Sequence, residues 1–328
     1  MSLRFAAPAD ITVRRGPEDL VDGLRVAVVA GLSSTPKTLP AVYLYDGRGS
    51  ELFDQITRLA EYYPTRAERQ ILTTHSADIA VASRAEVLVE LGSGTCDKSR
   101  ILIRALIEQA SLTTYVPFDV SEATLRAAAA AIVEEFPGLA VHGIVGDFRA
   151  DLDAIPAGRR RMIAFLGCTI GNCTPGERAE FLAGVVGVMN PGDSLLLGVD
   201  LVKNPDRLVA AYDDASGVTA EFNKNVLVML NRELGADFAV DRFEHVAHWD
   251  PINEWIEMRL QSRGAQTVRI AALGLSVEFA DGEELRTEIS AKFRVECVRD
   301  ELAAAGIEMV GWWTDAADDY ALSLAVRR

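Results

Sequence analysis

The segment Val87-Leu-Val-Glu-Leu-Gly92-Ser-Gly94-Thr95 constrains this chain more than any other. An apolar strand runs into an acidic residue and a glycine-rich turn, and a helical pattern follows directly. Such a turn brings backbone N–H groups and a carboxylate to the mouth of a parallel sheet, where a nucleotide-like cofactor lies against bare backbone. The glycines are spaced Glu90-x-Gly92-x-Gly94 with no third one, which departs from the G-x-G-x-x-G of NAD-binding turns. A buried strand before any Gly-Ser-Gly turn has the same local pattern, so the rest of the chain must decide.

From Arg66 onward, strand and helix alternate. The spacing predicts a helix over 66–83, strands at 87–91, 115–119, 141–145, 162–166 and 194–199, and helices between them. Ser121 is placed to cap the alanine-rich helix that ends at Phe136-Pro-Gly. Thr174-Pro-Gly-Glu177 carries a hydroxyl N-cap, a proline at N1 and a glutamate at N3. Five βα units in a row imply a doubly wound parallel sheet. After 206–234, largely helical, residues 243–279 change to a period of two, with Ile256, Met258 and Leu260 on one face. A helix returns at 295–305, and two strands, 307–313 and 320–326, close the chain. Five parallel strands ended by a C-terminal strand pair form the Rossmann-like sheet of class I methyltransferases, and the glycine spacing fits their adenosylmethionine turn. The expected architecture is α/β, with residues 63–201 and 292–328 in the cofactor domain. Residues 1–62 and 202–291 are expected to make a second α+β lobe over the strand ends, where ligands bind by the switch-point rule.

Composition removes other classes. The 328 residues carry a net charge of −15, and nucleic-acid binding needs clustered Lys and Arg. The one basic run, Arg159-Arg160-Arg161, reads as a solvated turn. The longest apolar run, Phe181 to Met189, is about half of what a membrane span needs. Residues 1–19 hold scattered charges and no signal-like apolar core. Cys96, Cys168, Cys173 and Cys297 fit neither a disulfide framework nor a zinc pattern and read as reduced, mostly buried thiols of a cytoplasmic protein. His75, His142, His245 and His248 lack metal spacing and read as structural; no metal is expected.

Three successive strands end in acidic residues: Glu90, Asp119 and Asp147-Phe148. Asp119 is placed to accept from ribose hydroxyls, or is an ordinary helix-start carboxylate. Asp147 and Phe148 suit an adenine amine and its ring. Lys98 either meets the cofactor carboxylate or is a surface lysine. Asn172, in the loop after the fourth strand, offers a carbonyl and an NH₂ to a small polar substrate, or is a loop residue ahead of the Thr174 cap. Glu288 and Ser290 are two apart, so an extended segment turns both the same way and pairs a carboxylate with a hydroxyl.

Longer blocks carry a resemblance. Leu52-Phe-Asp-Gln-Ile-Thr-Arg58, Glu61-Tyr62-Tyr63-Pro-Thr-Arg66, Glu90-Leu-Gly-Ser-Gly-Thr95, Phe165-Leu-Gly-Cys-Thr-Ile-Gly-Asn172, Asp200-Leu-Val-Lys203, Ala211-Tyr212-Asp-Asp-Ala215 and Trp312-Trp313-Thr-Asp315 resemble the histidine Nα-methyltransferases of ergothioneine biosynthesis. The likeness runs from about Leu24 to Arg327. It implies successive transfer of three methyl groups from S-adenosyl-L-methionine to the α-amine of L-histidine, giving hercynine. By motif, Gly92, Gly94, Lys98, Asp119, Asp147 and Phe148 would hold the cofactor. Tyr62, Asn172 and Tyr212 would grip the amino and carboxylate end of the substrate, and Glu288 and Ser290 would read the imidazole, with Met258 lining that pocket. Gly167 would bring a carbonyl near the amine, and Tyr62 or a water on Asn172 would take the proton. Cys96 and Cys168 stand where the family pattern has a small serine-like residue. The rival readings are a methyltransferase for tryptophan or another free amino acid, an NAD-dependent oxidoreductase, and a catalytically silent scaffold. A monomer without nucleic-acid or membrane partners is expected.

Overall fold

A computed structural model of the protein describes residues 9–328. Residues 1–8, the start of the segment expected in the second lobe, lie outside the described residues.

The chain opens with a short strand β1 (Asp10–Val13) and a helix α1 (Pro17–Leu32), at whose start Gly16 N donates to Asp19 Oδ2 at 2.8 Å. Strand β2 (Lys37–Thr38) and helix α2 (Gly47–Ile56) follow, then helix α3 (Pro64–Ser83), which has a proline in its first turn and stops at Arg84 in the left-handed region. The alternation is then as the spacing predicts: β3 (Val87–Leu91), α4 (Ser99–Glu108), β4 (Thr114–Asp119), α5 (Glu122–Glu135), β5 (Ala140–Val145), β6 (Arg161–Phe165), α6 (Pro175–Val188) and β7 (Ser194–Asp200). Helix α6 has the complete capping box, Glu177 N donating to Thr174 Oγ1 and Thr174 N to Glu177 Oε2. Helix α5 does not use its expected cap. Ser121 stands at the N-cap position, but its hydroxyl donates to Thr124 Oγ1 at 2.8 Å and takes no backbone N–H, while Asp119 accepts from the Ser121 N–H.

Helices α7 (Pro205–Tyr212) and α8 (Val218–Leu234) lead to β8 (Phe243–Asp250), β9 (Trp255–Ser262), β10 (Gln266–Ile270), β11 (Leu275–Phe279) and β12 (Glu284–Ala291). Helix α9 (Val295–Ala304) and strands β13 (Glu308–Thr314) and β14 (Tyr320–Val326) complete the fold.

The main sheet has the order β1-β5-β4-β3-β6-β7-β14-β13. All neighbours from β1 to β7 are parallel, while β14 runs antiparallel to both β7 and β13. The winding direction reverses between β3 and β6, so the crevice beyond their carboxyl ends is the place for a ligand. One element departs from expectation: β1, part of the N-terminal segment assigned to the second lobe, adds parallel to β5 on the main sheet, Ile11 opposite Gly143. Another concerns Arg161. It is not in a solvated turn but heads β6, buried, with its guanidinium on Asp193 Oδ2 at 2.7 Å and 2.9 Å.

A second sheet, β2-β12-β9-β8, lies between two hydrophobic cores. Ile256, Met258 and Leu260 belong to the core made with α1, α2 and α8, while Trp255, Ile289 and Ala291 belong to the core of the main sheet. The β12–β9 register slips between Arg286 and Glu288, leaving Thr287 as an extra residue. That bulge matters. Simple alternation from Leu285, opposite Leu260, would turn Thr287 and Ile289 toward the Met258 face. The extra residue puts Glu288 opposite Met258 and Ser290 opposite Ile256 instead. Thr287 is pinned in the bulge by its one hydroxyl hydrogen, shared between Asn223 Oδ1 at 2.5 Å and Met258 O at 3.0 Å.

Candidate active site

The turn after β3 needs its glycines: Gly92 (φ 70°) and Gly94 (φ 49°) both lie in the left-handed region. Gly92 N donates to Phe118 O at 2.8 Å, which ties the turn to the end of β4. Gly94 N donates to Asp119 Oδ2 and Ser121 N to Asp119 Oδ1, each at 2.9 Å. Burial pushes the Asp119 carboxyl up, against the pull of these N–H groups. A Cβ added to Gly92 would come 3.8 Å from Phe148 Cε1, and one on Gly94 would meet nothing within 4 Å. The turn is therefore open on one side and walled by a phenylalanine on the other. Phe148 stands edge-on to Phe165 at 5.2 Å, and Asp147 accepts from Arg149 N at 2.8 Å. A carboxylate for ribose hydroxyls, a bare turn and an aromatic wall fit an adenosyl group. Among the described residues no cluster of three or more His, Cys, Asp or Glu could hold a metal ion.

One expectation on this side needs correction, and one alternative falls away. Glu90 does not face the mouth. It is buried beneath the turn, accepting from Ser99 and from Tyr115 Oη, and burial raises it to about 7 against those bonds. Lys98 is neither free nor a surface lysine, since its ammonium pairs with Glu68, a fully buried carboxylate on α3 that sequence reasoning missed. Glu68 also accepts from Gly167 N and Tyr320 Oη, both at 2.8 Å, so it joins α3, α4, the end of β6 and β14. Gly167 (φ 76°) lies beside Lys98. A glutamate in line with Ile71 and Leu72 on an apolar helix face was the available signal.

The loop after β6 carries Asn172, half-buried at the end of a 3-10 turn over Thr169–Asn172. A Cβ on Gly171 would sit 3.0 Å from Ala291 O and 3.1 Å from Cys168 Sγ, so this glycine lets the loop approach the end of β12. Tyr62 and Tyr212 face each other edge-on at 6.1 Å, both buried. Burial, then the neighbouring phenols and Glu288, holds the Tyr62 hydroxyl well above its ordinary value. Such a phenol holds its own hydrogen and keeps its oxygen lone pairs as acceptors.

Glu288 is the exceptional group. Its Oε2 is buried without a hydrogen-bond partner, and burial raises its carboxyl to about 8 despite the opposing charge of Lys292. Tyr45, Tyr62 and Tyr212 all feel its charge. Ser290 Oγ lies 2.7 Å from Tyr212 Oη, so the residues expected at opposite ends of a substrate share a hydrogen bond. Lys292 was missed, although the alternation 288, 290, 292 points to it. Its ammonium donates to Ser290 Oγ at 2.8 Å and Tyr212 Oη at 3.0 Å and pairs with Asp200 at 2.9 Å. Burial opposes ionisation of Asp200, but Lys292 and Lys203 outweigh it and hold its carboxyl below the usual range. Tyr63 Oη donates to the same carboxylate at 2.8 Å.

The expected residues thus fall into two adjoining groups at the carboxyl ends of the strands. Gly92, Gly94, Asp119, Asp147 and Phe148 line the first. Tyr62, Tyr212, Met258, Glu288 and Ser290 make the second. Gly167, Lys98 and Asn172 stand at or after strand ends beside them.

Residues 24–327 match the family described as histidine-specific methyltransferase, SAM-dependent. The chain is 57% identical over 304 residues to the histidine N-alpha-methyltransferase of Mycobacterium tuberculosis (strain CDC 1551 / Oshkosh), covering 93% of this chain and 95% of that one. It is 56% identical over 310 residues to the histidine N-alpha-methyltransferase of Mycolicibacterium smegmatis, covering 94% and 97%. It is also 31% identical over 329 residues to ergothioneine biosynthesis protein 1 of Neurospora crassa, covering 94% of this chain and 36% of the fungal protein.

Proposed function

The chain belongs to the SAM-dependent, histidine-specific methyltransferases, and we propose that it converts L-histidine to hercynine, the trimethylated α-amine, in ergothioneine biosynthesis. The observation that carries the substrate is the orphaned carboxylate oxygen of Glu288. A buried acceptor without a partner costs about 1–3 kcal/mol, and a ring N–H of the substrate relieves that cost. Met258, across the strand pair from Glu288, lines the same pocket.

S-adenosylmethionine, when bound, supplies a methyl group already activated on a sulfonium. The chain's own residues bind and orient. In this reading Asp119 accepts from the ribose hydroxyls, Asp147 takes the adenine amine, and Phe148 covers the ring beside Gly92 and Gly94. Lys98 gives one of its three hydrogens to Glu68 and keeps two for the cofactor carboxylate. The cofactor layer is formed by residues 63–201 and 292–328 and the substrate lobe by 202–291 with the N-terminal segment, apart from β1.

Tyr62, Asn172 and Tyr212 hold the α-amino and carboxylate end of histidine, next to the Gly167 carbonyl. The amine has to lose its proton before each transfer. Its ordinary pKa of about 8 falls when the cation is desolvated near another positive charge. In this reading the proton leaves through the Tyr62 hydroxyl or through a water on Asn172. Aromatic walls from Tyr62, Tyr212 and Phe53 accommodate the growing methylammonium by cation–π attraction.

The test is a mass-spectrometric scan of the purified protein with S-adenosylmethionine and each of the twenty amino acids. Three methyl masses gained by histidine support the reading. Methylation of tryptophan or another amino acid in its place, or of none, refutes it.

A further inference from the structure

A buried ammonium needs a partner for each of its hydrogens, and Lys292 is fully buried. It has three partners: Asp200 Oδ2 at 2.9 Å, Tyr212 Oη at 3.0 Å and Ser290 Oγ at 2.8 Å. Asp200 is itself held by Tyr63 Oη and the Lys203 ammonium, so Lys292 is anchored from behind.

The two hydroxyls ahead of it also bond to each other, at 2.7 Å. Either hydroxyl can donate in this pair, and the ordinarily stronger acidity of a phenol favours Tyr212 giving its hydrogen to Ser290. Ser290 Oγ then accepts from Tyr212 and from Lys292. Both its lone pairs are filled, and its own hydrogen is all it has left to offer. Tyr212 Oη accepts from Lys292 and keeps one lone pair, which suits an amine N–H.

Two residues earlier on the same face of β12, Glu288 in its carboxylate form offers the opposite capacity, an acceptor only, and its Oε2 has no partner. We propose that Lys292 makes Ser290 an obligate hydrogen-bond donor, so that the pocket selects a ring bearing both an N–H, for Glu288, and a bare nitrogen, for Ser290. A neutral imidazole has both. An indole or a pyrrole has only the N–H and leaves the Ser290 hydrogen buried without an acceptor. Lys292 is a positioning residue here, and the inference rests on the histidine reading and sharpens it.

The experiment compares kcat and KM for L-histidine, β-(pyrrol-2-yl)alanine and β-(pyrrol-3-yl)alanine, which keep the N–H and replace one or the other bare nitrogen by C–H. The protein as it stands should favour histidine over both by about 100-fold in kcat/KM. In Lys292→Met the Ser290 hydrogen can turn to the Tyr212 oxygen. The preference should then fall below about tenfold, chiefly through a higher KM for histidine. Equal loss on all three amino acids would overturn the proposal, as would a preference below about tenfold in the unaltered protein that still methylates histidine.

Binding of S-adenosylhomocysteine shows whether Lys292→Met is folded. If it is not, Ser290→Ala takes its place, because it deletes the donor and leaves Lys292 on Tyr212 and Asp200. The same narrowing is expected there, and an undiminished preference rules the proposal out. Failure of the unaltered protein to methylate histidine at all would remove the function itself and this inference with it.

Discussion

The main sheet and the cap differ in how they treat buried carboxylates. On the sheet side Glu68 and Asp193 are fully engaged: Lys98, Gly167 and Tyr320 hold the first and Arg161 the second. On the cap side Glu257 is likewise paired, with Arg259 and Arg286, but Glu288 Oε2 is the one buried carboxylate oxygen without a partner among the described residues. A paired buried charge contributes to the fold, whereas an unpaired one costs stability and is left for a ligand. Substitutions at the paired groups and at Glu288 should therefore move stability in opposite directions.

The largest effect is expected at Arg161. Arg161→Met leaves Asp193 buried and unpaired, and chemical denaturation should show a loss of about 3–5 kcal/mol while KM for histidine stays unchanged. An equal loss from a substitution at Glu288 would break the contrast.

Glu288→Gln should do the reverse. KM for histidine should rise about 100-fold, with cofactor affinity kept, while the empty protein becomes more stable at pH 8. The sign follows from the carboxyl being raised to about 8 in the fold. The folded protein keeps a proton that the unfolded chain gives up near the ordinary glutamate pKa. Stability is thus lost as pH rises from there to about 8, by up to about 1.4 kcal/mol per pH unit. Glu90, raised to about 7, adds to the slope over the lower part of that window. Thermal melts across this range should decline less steeply in Glu288→Gln, and parallel curves would contradict the assignment.

Smaller effects sharpen the contrast within the sheet side. Asp119→Ala should weaken S-adenosylhomocysteine about tenfold in calorimetry, because the turn loses the acceptor that Gly94 and Ser121 bond. Thr174→Ala should cost about 1 kcal/mol of stability and leave both ligands unaffected, since the cap of α6 serves the helix alone.

The contrast also accounts for what could be read in the chain. The cofactor side is local: Glu90, Gly92 and Gly94 lie within one turn, and Asp119 and Asp147 end strands whose apolar runs are plain. The helix and strand order followed from periodicity for the same reason. The cap side depends on distant pairings. Lys292 meets Asp200 across α7, α8 and the whole second sheet, and Glu68 meets Tyr320 at the far end of the chain, distances no local pattern encodes. Strand β12 is buried along much of its length yet carries Glu, Arg, Thr and Ser, so it lacks the apolar alternation of β9. Its bulge at Thr287, which aims Glu288, depends on Asn223 and has no local signature. Arg161 looked solvated because it follows two exposed arginines, and only Asp193, on a later turn, draws it inward.

The most direct test of a cleft with two separate halves is calorimetric titration of histidine and of S-adenosylhomocysteine into Asp119→Ala and Glu288→Ala. The account predicts a crossed outcome: the first variant loses the nucleoside and keeps histidine, the second loses histidine and keeps the nucleoside. If either substitution weakened both ligands alike, or Glu288→Ala bound histidine as before, the account would be wrong.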